Sequence, residues 1–264
     1  MSSSKRSILK TGCSDGSLGS GLARECHRGR KKAGIETILL DTLCDSSIGA
    51  CVARVRELTS SDLKTGALDA LLNTAGGGCS MPVTDIDIPH RALSLRSLIS
   101  VTQAFLPHLM NSTHPDGGAF ARPVRRRIQR LESRGVQFHE TLRRKLESFG
   151  IWVVNLVTGA VQSAFHDKAP HPTLPASSLY NVAKETVERA MTNPDSESDT
   201  DANVWASQVV RDLSRRRPAC WVWRGKWAMM AWVAGFLPVG TFDGTMKRWC
   251  PVNTVLENIV RLSR

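Results

Sequence analysis

The chain has 264 residues, 41% hydrophobic and 22% charged, with a net charge of +11 and a single tyrosine, Tyr180. That length and apolar content exclude a wholly disordered chain and suit one large α/β domain or two small ones. No run of roughly eighteen apolar residues marks a membrane span. The seven cysteines lack C-x-x-C spacing, which argues against a disulfide scaffold or a structural zinc site and for a reducing compartment. The N-terminus MSSSKRSILKTG has no apolar secretory core.

In chain order, Ser7–Lys10 reads as a strand that ends in the glycine turn TGCSDGSLGSG and continues into a helix over LARECHRG. Glu36–Leu40 reads as a strand closed by Asp41, and Ile48, Val52, Val55 and Leu58 have helical spacing. Ala67–Leu72 is a strand leading into Asn73-Thr74-Ala75-Gly76. A helix follows over Leu93–Met110, despite Pro107, and another ends at Glu140–Ser148 before Gly150. IWVVNLV (151–157) is the continuous apolar run of a strand buried on both faces of a parallel sheet. Ser178–Met191 and Val204–Arg215 are helical, with an acidic loop over 193–203 between them. Strands alternating with helices predict a doubly wound parallel sheet.

Two segments stand out by composition. Residues 122–134, RPVRRRIQRLESR, hold six Arg and one Glu and so carry +5 of the chain's charge. No aromatic residues interleave with them and no nucleic-acid-binding motif accompanies them, so a nucleic-acid partner is not expected. Five of the seven Trp lie between 221 and 249, around the apolar stretch Trp227–Leu237, which is flanked by Arg224, Lys226, Lys247 and Arg248. This stretch is either a helix packed on the core or a patch lying on a lipid surface. His90, His108, His114, His139, His166 and His171 have no ligand spacing, so no metal site is predicted.

A glycine loop between a first strand and a first helix lets backbone N–H groups approach a pyrophosphate, and the helix N-terminus favours its charge. Gly12, Gly16 and Gly19 supply that loop, Asp41 ends the next readable strand, and Asn73-Thr74-Ala75-Gly76 ends the one after. On these motifs the chain resembles the short-chain dehydrogenase/reductase family, closest to the fungal 1-acyldihydroxyacetone-phosphate reductase type. The resemblance implies a Rossmann-like sheet, NADP(H) as cofactor and a small-molecule carbonyl as substrate. It implies cofactor contacts from Thr11, Gly12, Ser14, Gly16, Leu18, Gly19, Asp41, Asn73, Ala75, Gly76, Val157, Thr158 and Gly159.

The departures from the family pattern fall on its working parts. RGRKKAG (28–34) stands where the resemblance implies a second strand selecting NADPH, and 91–100 lacks the Asn of the catalytic tetrad. Between Met110 and Glu140 the resemblance implies an apolar strand with a catalytic Ser and then Tyr-x-x-x-Lys; neither the apolar strand nor the Tyr is there. Tyr180 and Lys184 form the chain's one Tyr-x-x-x-Lys and are the candidate catalytic pair, one helical turn apart. They follow the strand at 151–157, whereas the family motif precedes it, so Tyr180 reads equally as a lid or packing residue. Family spacing puts the expected Tyr and Lys at Ile128 and Glu132. One permitted codon choice for RIQRLESR (127–134), CGT ATA CAA CGC CTC GAA AGC CGC, gives Val-Tyr-Asn-Ala-Ser-Lys-Ala when read one nucleotide later. A shifted reading frame over 119–136 would then account for the arginine cluster.

The sequence thus predicts a Rossmann-like domain over 1–192 with gaps near 28–32, 91–100 and 111–139, an acidic loop over 193–203, and a C-terminal helical, apolar extension over 204–264. The expected function is NADP(H)-dependent reduction of a lipid-like or secondary-metabolite ketone. The alternative is an inactive remnant of the family that acts at most as a binding or lipid-surface protein. The expected place is the cytoplasm, free or peripheral on the endoplasmic reticulum or lipid droplets. Homo-oligomerisation is left open.

Overall fold

The computed structural model describes residues 7–28, 34–60, 66–76, 81–85, 88–112, 126–130, 136–164, 173–192, 196–215, 218–238, 240–249 and 257. Its centre is a parallel sheet of five strands in chain order: β1 (Ile8–Lys10), β2 (Ala70–Asn73), β3 (Arg126–Arg130), β4 (Ile151–Thr158) and β5 (Trp221–Arg224). The register sets Leu9 beside Leu71, Leu71 beside Ile128, Ile128 beside Val153, and Leu156 beside Val222.

Side chains alternate across the strands and build two cores. Leu9, Leu71, Ile151 and Val153 face one layer, formed by α2 (Asp45–Thr59), α3 (Ile88–Met110) and α4 (Val136–Glu147). Ile8, Ala70, Leu72, Val154, Leu156 and Val222 face the other, formed by α1 (Leu18–His27) and α6 (Ala202–Leu213). The helices present matching stripes: Ile48, Cys51 and Val55 on α2, Leu98, Val101, Phe105 and Leu109 on α3, and Trp205, Ala206, Val209 and Leu213 on α6 are all buried. Asp201 caps α6 by accepting the N–H groups of Asn203 and Val204 at 2.9 and 3.0 Å. Helices on both faces of a parallel sheet make the fold doubly wound, as the sequence predicts.

Four local readings change. Residues 34–40 form no strand; Ile38 and Leu40 still pack on the α2–α3 core while Leu39 is 97% exposed. Alternation thus delivers their burial without a ladder. The segment before α4 does contain a strand, β3, although RRIQR has no apolar pattern. Its main chain fills the gap between β2 and β4, whose facing edges would otherwise be left unpaired. Ser178–Met191 is split into a 3-10 turn (Leu179–Ala183) and α5 (Lys184–Met191). Trp221–Arg224, read as part of the C-terminal helical, apolar extension, is the last strand among the described residues, followed by α7 (Ala228–Ala234) and α8 (Asp243–Trp249). The position of a second strand at 29–33 lies outside the described residues.

Candidate cofactor and active site

The C-terminal ends of β1 and β2 meet at the glycine turn, and the segment after β4 reaches it through Ala164. Thr11, 3% exposed, ends β1 and links it to the turn after β2. Its N–H donates to Leu72 O at 3.0 Å, and its Oγ1 accepts the N–H groups of Thr74 and Ala75 at 3.1 Å each. The Thr74 hydroxyl donates in return to the Thr11 carbonyl. These four hydrogen bonds fix the two turns against each other.

The glycines are required by contact. Gly12 has φ +67°, and a Cβ there would lie 2.6 Å from Ala75 N. A Cβ at Gly19 would meet the Gly12 carbonyl and Thr74 Oγ1. Gly16, at φ +70°, sits against Ala164, whose N–H donates to Gly16 O at 3.1 Å. Ser17 closes the turn: its Oγ donates to Gly12 O at 2.8 Å and accepts the Ser20 N–H at 3.1 Å as the N-cap of α1. The first turn of α1 holds no acidic residue, so its N-terminal field is left open to an anion.

The other predicted cofactor residues differ in burial and contacts. Ser14 is exposed at the top of the loop, and its carbonyl accepts the Ser17 N–H at 3.0 Å. Leu18 packs into the core under the loop. Asn73 is buried and turns to α3, donating to Thr102 Oγ1 at 3.3 Å. Gly76 is exposed. Asp41 is exposed, and its Oδ1 accepts the Leu43 N–H at 2.9 Å. Cys44 stands at the N-terminus of α2 three residues beyond Asp41 without a side-chain capping bond, and hydrogen bonding to the Ser46 hydroxyl and then the Ser47 main chain holds its thiol below the ordinary range. Cys13 stands exposed in the loop.

Val157 and Thr158 end β4, and Gly159 follows. Among the described residues Thr158 Oγ1 is buried without a hydrogen-bond partner. The chain then runs along a strap. Ala160 N and Lys226 O bond at 2.9 Å, Gln162 N and Thr200 O at 2.9 Å, and Ala164 reaches Gly16. Ala164 was not among the predicted residues. The small residues of GAVQSA (159–164) are the signal for it, since the Ala164 methyl occupies the space that a Cβ on Gly16 would need.

Tyr180 and Lys184 lie elsewhere in chain and contact. Tyr180 packs with Met81 on the cluster of Leu174, Ala183, Val187 and Met191. Lys184 Nζ is 3.9 Å from Glu188 Oε1, which also accepts the Leu174 N–H at 2.9 Å. The split between the 3-10 turn and α5 falls between the two residues, so they do not occupy successive turns of one helix. Ser178 Oγ donates to Asp85 Oδ2 at 2.6 Å and ties this cluster to the segment after β2. Among the described residues no hydrogen bond joins Tyr180 or Lys184 to the glycine turn. The position of the expected Tyr and Lys, 128 and 132, falls on β3 and on a residue outside the described ones. No group of His, Cys, Asp and Glu able to hold a metal occurs among the described residues.

No protein-family model matches the chain. It is 34% identical to a short-chain dehydrogenase/reductase of Pestalotiopsis microspora, over 98% of this chain and 99% of that protein. It is 26% identical to the NADPH-dependent 1-acyldihydroxyacetone phosphate reductase of Schizosaccharomyces pombe, over 66% of this chain and 67% of that protein. Among solved structures, a short-chain dehydrogenase from Streptomyces avermitilis shares the fold, with a TM-score of 0.65 and 15% identity over 96% of this chain and 99% of that one. Parallel strand order, glycine cradle and full-length similarity agree, and the chain belongs to the short-chain dehydrogenase/reductase family of oxidoreductases.

Proposed function

We propose that the chain binds NADP(H) and serves the reduction of a ketone on a lipid-like or secondary-metabolite substrate. The observation that carries the reading is the Gly12–Gly16–Gly19 cradle, locked to Thr74 and Ala75 through Thr11 and opening on the N-terminus of α1. Those backbone N–H groups would hold a diphosphate, with Asp41 toward the adenine and Val157–Gly159 beside the nicotinamide. Thr158 Oγ1 is a buried polar atom awaiting a partner, as such a contact requires. The bound cofactor would supply hydride to the carbonyl carbon. The NADPH-dependent relative in Schizosaccharomyces pombe supports the phosphorylated cofactor.

The chain's own part is to bind and orient. Tyr180 is assigned to a lid built from 174–191 and 81–85, not to proton delivery, because its packing partners are those of the lid. A second reading, a cofactor-binding member without turnover, is favoured by one observation. The central strand of the sheet, between β2 and β4, is RRIQR, where a strand covered on both faces is ordinarily a run of Val, Ile and Leu. The same segment holds the position of the expected catalytic tyrosine. The stretch Trp227–Leu237 is read as the side that meets lipid.

NADPH oxidation by the purified chain with a panel of ketones separates the two readings. Turnover supports the reductase. NADPH binding with no turnover across the panel supports the silent member. Loss of turnover in Tyr180→Phe would return Tyr180 to the reaction.

A further inference from the structure

From Trp227 to Phe242 the sequence WAMMAWVAGFLPVGTF runs sixteen residues without a charge. The structure turns most of its apolar side chains outward. Trp227, Met229, Trp232, Val233, Phe236 and Leu237 are each between 41% and 73% exposed, while on α7 only Ala228 is buried. Isolated exposed apolar residues mean little, but six within eleven positions on one short helix and its following turn form a patch.

The patch is held rigidly. Gly225 at φ +100° and Trp227 at φ +67° turn the chain sharply out of β5, and Trp227 is the one described non-glycine residue with positive φ. Trp232 and Phe236 meet edge to face at 5.0 Å between ring centroids. Lys226 Nζ lies 5.4 Å from the centroid of the Trp227 ring. Both ends of the run are basic: Lys226 precedes it, and Lys247 and an exposed Arg248 follow, against the single acid Asp243, while Arg224 is taken up by its ion pair with buried Asp212. No helix among the described residues is long and apolar enough to cross a membrane. An uncharged aromatic run with basic edges, too short to span, matches the boundary of a bilayer with anionic headgroups.

The run begins at the site. A Cβ on Gly159 would lie 2.9 Å from Ala228 N and would collide with the Lys226 carbonyl. The patch therefore adjoins the C-terminal edge of β4 and β5, the edge on which the glycine turn also opens.

We propose that α7 and the turn through Leu237 dock this chain on an anionic lipid surface, with the cofactor cleft at the margin of the bilayer, so that a substrate with an acyl chain reaches it from the membrane. The location of the cleft rests on the NADP(H) reading above; the docking does not. The test uses the full chain and vesicles of phosphatidylcholine with about 30% phosphatidylglycerol, compared with pure phosphatidylcholine. Co-sedimentation and the tryptophan emission maximum are read, with NADPH binding measured separately in solution. Wild type is expected to sediment with the anionic vesicles and shift its emission to the blue. Trp232→Glu with Phe236→Glu is expected to lower the partition coefficient about ten-fold, with unchanged melting temperature and NADPH affinity. Leu39→Glu, on an exposed residue far along the chain, is expected to change nothing. Absence of sedimentation, equal binding by the double variant, or a patch that instead mediates self-association overturns the docking. Vesicle binding without NADPH binding supports the docking and overturns the cofactor reading.

Discussion

Thr11 and Thr74 hold each other twice: the Thr11 hydroxyl oxygen accepts the Thr74 N–H at 3.1 Å, and the Thr74 hydroxyl donates to the Thr11 carbonyl. Through this pair the ends of β1 and β2 act as one edge beneath the glycine turn. Thr11→Val keeps the shape but removes the acceptor for two N–H groups. A loss of about 1–3 kcal/mol in urea unfolding is expected, with weakened NADPH binding. Thr11→Ser should retain most of both.

Gly12→Ala tests the cradle itself. The methyl group would enter the space of the Ala75 backbone, and the φ of +67° is unfavourable to alanine. NADPH affinity should fall by roughly a hundred-fold or more, about 2.7 kcal/mol or more. Fluorescence titration checks this, and circular dichroism reports whether the fold survives.

Asp212 is buried at the junction of α6 and β5. It pairs with Arg224 Nη2 at 2.5 Å and Arg215 Nη2 at 3.1 Å. Arg224→Met leaves a buried carboxylate with one exposed partner, and a loss near 3 kcal/mol is expected. Adding Asp212→Leu should recover a large part of it, because the uncompensated charge is then gone. A double-mutant cycle by chemical unfolding reads the coupling.

Glu140 links α4 to the sheet. It accepts Arg143 Nη2 at 2.7 Å and Trp221 Nε1 at 3.1 Å. The hydrogen bond from Arg143, aided by that from Trp221, holds its carboxyl below the ordinary value. A lowered carboxyl pKa stabilises the fold above the unfolded value, and the contribution disappears as pH falls through the folded one. Glu140→Gln should therefore reduce stability at neutral pH by less than about 1 kcal/mol and flatten the acid limb of the melting-temperature profile.

The glycine cradle, the Asn73–Gly76 turn and β4 were legible because each carries a local signal: required glycines or an unbroken apolar run. β3 was not, because RRIQR holds its place through main-chain pairing to two neighbours, a non-local cause. Glu36–Leu40 has strand-like composition but no ladder. Tyr180 and Lys184 match a motif in spacing, yet the break between the 3-10 turn and α5 falls between them, and Tyr180 packs on Leu174, Ala183, Val187 and Met191. The strap residue Ala164 matters only through its fit on Gly16, which spacing does not announce.

The codons of 127–134 bear on the silent reading. If their next frame encodes Tyr-Asn-Ala-Ser-Lys, a chain with that frame restored should gain ketone-dependent NADPH oxidation. If the codons cannot encode it, the frame-shift origin of the arginine cluster is refuted.

The central claim is that this chain holds NADP(H) in the Gly12–Gly19 cradle. Isothermal titration of the purified full chain with NADPH, beside Gly12→Ala, tests it most directly. Saturable micromolar binding by the wild type that disappears in the folded variant is the predicted result. A folded wild-type chain that takes up no NADPH, or a variant that binds it equally well, would contradict the claim.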